Sequence, residues 1–332
     1  MRALVAEQYG PPDLFAIKDL PIPEPGPGQL QVRVRAAAIN PGDLLLADGT
    51  VRDQVPLDFP HIPGTDFAGT VTRLGPDVEG FEVGDEVFGF GAPPSYAKGV
   101  GIASIASGTM AEYAVITVGD YLAERPDALS PEVAAALPST GMTGLAVVEA
   151  GEFEPGEKVL VIGAGGGIGS VVVPLLAGRV EVIATAAGED EKYVRTLGAG
   201  SSIDYLAADV AEESLRRHPG GVDAIVNLAL RGEPLIAAAR AIRPGGRLLS
   251  TTPGTPEQSV FGRDDLSVAV VMGALKVQNH TFRSIAAYLL DGTLPDPISH
   301  RYRFADSVRA YRGFAGMRHR GKFVVSMGEG AV

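Results

Sequence analysis

The stretch that most constrains this fold is "VLVIGAGGGIGS", residues 159–170. A continuous apolar run from Val159 to Ile162 meets a small-residue turn and then a second apolar run. An apolar strand of this kind is buried on both faces, as in a parallel sheet. The spacing Ala164-x-Gly166-x-x-Gly169 is the dinucleotide-binding fingerprint with Ala in the first place. The first small residue permits a tight turn, Gly166 lets the backbone approach a pyrophosphate, and Gly169 lets the helix pack closely on the strand. Gly167 and Ile168 complete the turn, whose helix N-terminus favours an anion.

The surrounding sequence continues the alternation. Strand-like "EVIATAA", "SSIDY", "VDAIVNLAL" and "RLLSTTPG" alternate with helical "GSVVVPLLAG", "EDEKYVRTLGA" and "EPLIAAARAIRPGG", the last expected to stop at Pro-Gly-Gly. Pro174 is expected to kink the first of these helices. Such alternation predicts βαβ units and a doubly wound parallel sheet. Before it, "SPEVAAALPSTGMTGLAVVEAG" reads as helical, with Ser130 as N-cap and Pro131 at the first helical position.

Residues 1–120 read differently. "QLQVRVRAAAIN", "DFAGTVTRLG", "VGDEVFGF" and "MAEYAVIT" are short strands separated by Gly and Pro turns, which predicts a barrel-like or sandwich-like unit. In "AAINPGDLLLADG", Asn40-Pro41-Gly42 reads as a chain reversal carrying Asp43. "GAPPSYAKGVGIASIASGT" reads as a long small-residue loop with Tyr96 and Lys98 in it. The end of the chain offers helical "HTFRSIAAYLLDG" and "ADSVRAYRGFAGM", then the strand "GKFVVSM".

A formal net charge of −12 argues against nucleic acid as a partner. The absence of cysteine excludes disulfides and thiolate metal ligands and fits a reducing compartment. The N-terminal "MRALVAEQYG" reads as a strand rather than a signal peptide, and no apolar run is long enough to span a membrane. A cytoplasmic protein is the expectation.

An NAD-specific site puts an acid at the end of the second strand of the sheet, on the ribose 2′-OH. Thr185, Ala186 and Ala187 stand there instead, leaving room for a 2′-phosphate, with Lys192 one helical turn inward. Glu189 and Asp190 oppose this unless they face water, and Lys192 reads equally well as a solvated helix residue paired with a nearby Glu. The expected cofactor is NADPH.

Together, "AAINPGDLLLADG", "IPGTDFAGTV", "VGDEVFGF", "MAEYAVI", "LPSTGMTG", "VLVIGAGGGIGS", "IRPGGRLLS" and "GKFVV" resemble, in order, the zinc-independent quinone oxidoreductase and enoyl reductase branch of the medium-chain dehydrogenase/reductase superfamily. The resemblance implies an α/β chain. A GroES-like, mostly-β catalytic domain is expected over residues 1–121 and 275–332, and a Rossmann cofactor domain over 122–274, with the active site in the cleft. It implies a homodimer through the Rossmann domain. It places Thr143 near the nicotinamide, Tyr205 and Lys192 near the 2′-phosphate, and Asn227, Thr251 and Thr252 along the cofactor's far side.

Zinc-dependent relatives carry a cysteine where Asn40 stands and a His-Glu pair where this chain has Thr65-Asp66. A catalytic zinc needs about three protein ligands, so no metal is expected, and His61 reads as a surface loop histidine. The branch's usual tyrosine and arginine after Asp43 are Leu45 and Ala47 here. The run Leu44, Leu45 and Leu46 predicts an apolar pocket wall.

The expected activity is metal-free, NADPH-dependent hydride transfer to a quinone or a conjugated C=C bond in a small apolar acceptor. Asn40 would position the acceptor or nicotinamide, and Thr143 would orient the nicotinamide ring. Asp43 would brace the loop rather than act as a base, since nothing in the sequence signals a raised pKa. Alternatives are a biosynthetic enoyl reductase with a narrow, bulky substrate, a catalytically silent NADPH-binding protein, and a zinc alcohol dehydrogenase.

Overall fold

The computed structural model describes residues 1–91, 108–278, 280–316 and 320–328. The expected loop with Tyr96 and Lys98 lies outside the described residues. The chain forms two units. The first contains Met1–Ser139, Val277–Leu290 and Asp296–Val332; the second contains Thr140–Lys276 and Asp291–Pro295.

The first unit opens with strands β1 (Arg2–Val5), β2 (Ala16–Asp19), β3 (Gln29–Ile39), β4 (Asp66–Leu74), β5 (Glu86–Phe90), β6 (Tyr113–Thr117) and β7 (Leu122–Glu124). The second contains β8 (Lys158–Ile162), β9 (Glu181–Ala186), β10 (Ser201–Asp204), β11 (Val222–Asn227), β12 (Ile242–Ser250) and β13 (Ser267–Val270). The chain then returns to the first unit for β14 (Ile298–Arg303) and β15 (Lys322–Ser326).

In the first unit a seven-stranded sheet runs β14-β15-β3-β4-β5-β7, with β6 also paired to β3, while β1 and β2 pair separately. Strand β3 organises it. Its alternating residues Leu30, Val32 and Val34 are buried in a core shared with Phe67, Val87, Tyr311 and Phe323. Its C-terminal half lies between β15 and β4, both antiparallel to it, so both of those strands begin beside the end of β3.

In the second unit six parallel strands run β10-β9-β8-β11-β12-β13. In local order that is 3-2-1-4-5-6, the doubly wound dinucleotide-binding arrangement, whose switch point falls between β8 and β11. Both faces are covered. Val159 and Val161 join one apolar cluster with Val172 and Val173, while Leu160 and Ile162 join another with Leu235 and Ala238. This is the physical reason β8 is apolar at every position from Val159 to Ile162.

Several elements depart from the sequence expectation. The helical stretch after Ser130 is two helices, Pro131–Ala135 and Pro138–Gly151. Ser130 caps the first through the Val133 N–H at 3.3 Å. The unit boundary falls at 139/140 rather than 121/122, because β7 pairs with β5 and the Pro131–Ala135 helix packs on β3 and β4. Pro244-Gly245-Gly246 does not stop a helix. The preceding helix ends at Ala239, and the three residues form a bulge within β12, where Gly245 has a φ of 70°. Asn40-Pro41-Gly42 is not a simple reversal but the start of the helix Pro41–Ala47, with Asn40 at the N-cap and Pro41 in the first turn. No helix among the described residues is long and apolar enough to cross a membrane.

Candidate functional site

At the end of β3 in the first unit, a buried polar cluster forms where three strands meet. The pairings Ile39 with Phe323 and Ala38 with Asp66 put Lys322, Asn40 and Asp66 at one end of the sheet. All three are nearly buried, at 3%, 8% and 0% exposure. The Lys322 ammonium donates to the Ile39 carbonyl at 3.3 Å, to Asp66 Oδ2 at 3.2 Å, and to Asn40 Oδ1. The other Asp66 oxygen accepts from Ser139, from its N–H at 3.1 Å and its hydroxyl at 2.6 Å. A buried charge pair survives only when its remaining valences are met in this way.

Asn40 links this pair to Asp43. Its Nδ2 donates to Thr65 Oγ1 at 3.2 Å, and the Thr65 hydroxyl is 3.4 Å from Asp43 Oδ1. Asp43 reaches back from the third helical position to accept the Asn40 backbone N–H at 2.9 Å, half of a capping box. Tyr311 Oη approaches the same carboxyl oxygen at 3.5 Å.

Burial pushes the Asp43 carboxyl up to about 7, Asp66 adding to the rise while the Asn40 N–H and Lys322 oppose it. Tyr311 is raised well above its ordinary value, chiefly by burial and then by Asp43. The ground for reading Asp43 as unperturbed therefore falls, although its contacts are those of a brace. His61 is half-buried rather than a free surface loop histidine. Its backbone pairs with Ala6 in both directions at 2.8 and 2.9 Å, and burial lowers its ring to about 4.

Asn40 and Asp43 are thus brought together, and Lys322, Thr65 and Tyr311 complete the cluster. Lys322 lies 282 residues from Asn40. It stands in the quoted "GKFVV", and its only sequence signal is a charge opening an otherwise apolar strand. Leu44 packs against the first unit's core, which leaves Leu45 and Leu46 half-buried beside it on the same helix.

In the second unit, β8 ends in the glycine turn. The positive φ, 83°, falls on Gly163 rather than on Ala164, which is fully buried. A Cβ on Gly169 would lie 2.2 Å from the Ala164 carbonyl oxygen, so close helix–strand packing demands glycine there. One on Gly166 would lie 3.4 Å from the Gly163 oxygen, an ordinary contact distance. Thr185, 4% exposed at the tip of β9, accepts the Gly163 N–H at 3.1 Å. Its hydroxyl therefore holds the turn in place.

A cavity of about 450 Å³ opens beside this turn, lined by Gly163, Thr185, Tyr205, Asp209, Ala229 and Leu230 among others. Tyr205 is 41% exposed within that lining. Lys192 is exposed on the helix Glu191–Thr196. Asp209, which sequence reading passed over, caps the helix Val210–Arg217 through the Glu212 N–H at 2.8 Å.

Asn227 and Thr252 were expected along the cofactor, but their side chains are committed internally. Asn227 Nδ2 donates to the Leu230 carbonyl and Ser250 Oγ, both at 2.9 Å, and its Oδ1 accepts the Leu230 N–H at 2.8 Å. Thr252 Oγ1 donates to the Leu230 carbonyl at 3.0 Å. They shape the loop that lines the cavity. Thr251 is half-buried, its N–H bonded to the Asn227 carbonyl at 3.0 Å.

Thr143 sits on the helix Pro138–Gly151, which packs on the helix after the glycine turn through Gly144. A Cβ there would meet Val171 at 2.6 Å. Gly273 approaches Thr143 so closely that a Cβ would meet its hydroxyl at 2.5 Å.

Residues 26–127 match the alcohol dehydrogenase GroES-like domain, and residues 197–325 match the zinc-binding dehydrogenase family. The chain belongs to the medium-chain dehydrogenase/reductase superfamily. Within it, the chain falls in the quinone oxidoreductase branch. It is 30% identical over 244 residues to a chloroplast envelope quinone oxidoreductase homolog of Arabidopsis thaliana, covering 71% of this chain and 69% of that protein. It is also 30% identical over 264 residues to the chloroplastic NADPH-dependent alkenal/one oxidoreductase of the same plant, covering 76% and 67%. The quinone oxidoreductase of Coxiella burnetii superposes with a TM-score of 0.88 at 26% identity, over 98% of this chain and 99% of that one. The chain is an oxidoreductase of this family.

Proposed function

We propose that the protein is a zinc-independent reductase that uses NADPH to reduce a quinone or a conjugated C=C bond. The observation that carries this reading is the Lys322 ammonium held between Asn40 Oδ1 and Asp66 Oδ2. In zinc-dependent relatives, thiolate, imidazole and carboxylate ligands occupy the register of Asn40, Thr65 and Asp66. Here the donors are a neutral amide, a hydroxyl and a carboxylate already neutralised by a lysine. This set does not fit zinc, which takes thiolate, imidazole and free carboxylate ligands.

A dinucleotide fits the second unit. Gly163, Gly166 and Gly169 shape a turn at the switch point of the sheet, and the cavity beside it runs from Gly163 past Thr185 to Tyr205. NADPH is favoured over NADH because no acid ends β9, and because a relative of this chain is named as NADPH-dependent. Lys192 and Tyr205 would hold the 2′-phosphate, and Thr143 the nicotinamide end.

When bound, NADPH supplies a hydride. In a conjugated acceptor, charge develops on an oxygen remote from the carbon that is reduced, so neutral hydrogen-bond donors can stabilise it. Asn40 is the candidate donor, Leu45 and Leu46 offer apolar contact, and water supplies the final proton. A cofactor-unit homodimer fits Val270, Met272 and Leu275, which are 56%, 44% and 51% exposed on and just beyond the edge strand β13.

The test is oxidation of NADPH, and separately of NADH, with 1,4-benzoquinones and α,β-unsaturated ketones. Turnover of either class with NADPH preferred, undiminished by a chelator, is the expected result. Tight NADPH binding without turnover of any acceptor would point to the silent binding protein.

A further inference from the structure

The polar cluster at the end of β3 fixes which way the Asn40 carboxamide faces. An ammonium only donates, so the amide edge beside Lys322 must be the oxygen. Nδ2 therefore faces Thr65, whose hydroxyl hydrogen is directed to Asp43 and whose lone pair accepts one of the two amide hydrogens. The second Nδ2 hydrogen has no partner among the described residues. Lys322 itself has three acceptors for its three hydrogens, so it has no hydrogen left for a substrate.

We propose that Lys322 is a positioning residue: it locks Asn40 in the orientation that presents an N–H, and so selects acceptors bearing a hydrogen-bond-accepting oxygen in conjugation with the reduced bond. This rests on the reductase reading above. The lysine charge also polarises the amide through its oxygen, which makes the outward N–H a better donor. Without Lys322 the amide can flip, and an outward carbonyl would repel the same substrate oxygen. Lys322 thus acts through Asn40.

The experiment compares the wild-type chain, Asn40→Asp, Lys322→Met/Asp66→Asn and the triple variant Asn40→Ala/Lys322→Met/Asp66→Asn. The Lys322 variant removes both charges, so no buried ion is left unpaired. Each is assayed with NADPH and an α,β-unsaturated ketone, alongside NADPH affinity and thermal unfolding. Losing one oxyanion donor lowers kcat by about 100-fold or more. Asn40→Asp and the Lys322 variant should each show such a loss at unchanged NADPH affinity, and the triple variant should lose no more than either.

A Lys322 variant within threefold of the wild-type kcat, or losses that multiply in the triple variant, would overturn the assignment. If the Lys322 variants fail to fold, Asn40→Asp decides. It keeps the oxygen for Lys322 and lacks the N–H, so wild-type kcat in that variant overturns it. A wild type that turns over no acceptor of either class overturns the reductase reading and this assignment with it.

Discussion

Lys322 Nζ and Asp66 Oδ2 lie 3.2 Å apart with their side chains 3% and 0% exposed, joining the first residue of β15 to the first residue of β4. Removing one member of such a pair strands the other as an uncompensated buried charge. Lys322→Met alone should cost about 3–5 kcal/mol. Adding Asp66→Asn should recover much of it. Urea denaturation of the two variants checks this, and equal stability would show that the pair is not held as described.

Asp43 and His61 give the protein opposite pH responses. Asp43 has a folded pKa raised from 3.8 to about 7, so its contribution is complete below about pH 4 and is lost as pH rises toward 7. His61 is lowered from 6.5 to about 4, so its contribution is complete above about pH 6.5 and is lost as pH falls toward 4. The two partly cancel in the wild type. Asp43→Asn should make stability fall more steeply on acidification, and His61→Gln should make it fall more steeply toward neutrality. Thermal unfolding across that range in both variants measures the slopes.

The glycine turn should tolerate substitution unevenly. Gly169→Ala would place a methyl 2.2 Å from the Ala164 carbonyl oxygen, whereas Gly165→Ala would meet Tyr193 only at 3.8 Å, the nearest approach among the described residues. The first should cost about 1–3 kcal/mol from overpacking and weaken NADPH binding. The second should leave stability nearly unchanged. Nucleotide titration and unfolding of both proteins test the contrast.

Lys192 should discriminate between the two nicotinamide cofactors. Lys192→Glu is expected to raise the KM for NADPH by about tenfold, the size of one favourable charge contact, with little effect on NADH. Equal effects on both would assign Lys192 to the solvated helix surface.

The exposed apolar residues at β13 should hold two copies together. Light scattering is expected to give a dimer for the wild type and a monomer for Met272→Glu/Leu275→Glu, with unchanged helix and strand content.

The second unit was largely legible in the sequence because its signals are local. A strand buried on both faces must be apolar throughout, and a turn too crowded for side chains must use small residues. Those two needs wrote "VLVIGAGGGIGS" and with it the parallel sheet. Local reading went wrong where local preference yielded to pairing. Pro244-Gly245-Gly246 looks like a helix stop, yet it is carried within β12 as a bulge beside Val222 and Ala224.

The site in the first unit was legible only in part. The sequence by itself determined that Asn40 and Asp43 share a turn, that cysteine is absent and that a glycine loop opens a helix. Tertiary structure decided that Lys322 meets Asn40, that Asp43 is buried enough to titrate near 7, and that Asn227 and Thr252 turn inward. The reason is that burial and the pairing of distant charges are properties of the packed sheet. Strands β4 and β15 enter beside the end of β3 from opposite ends of the chain, and no spacing of residues along the sequence records that meeting.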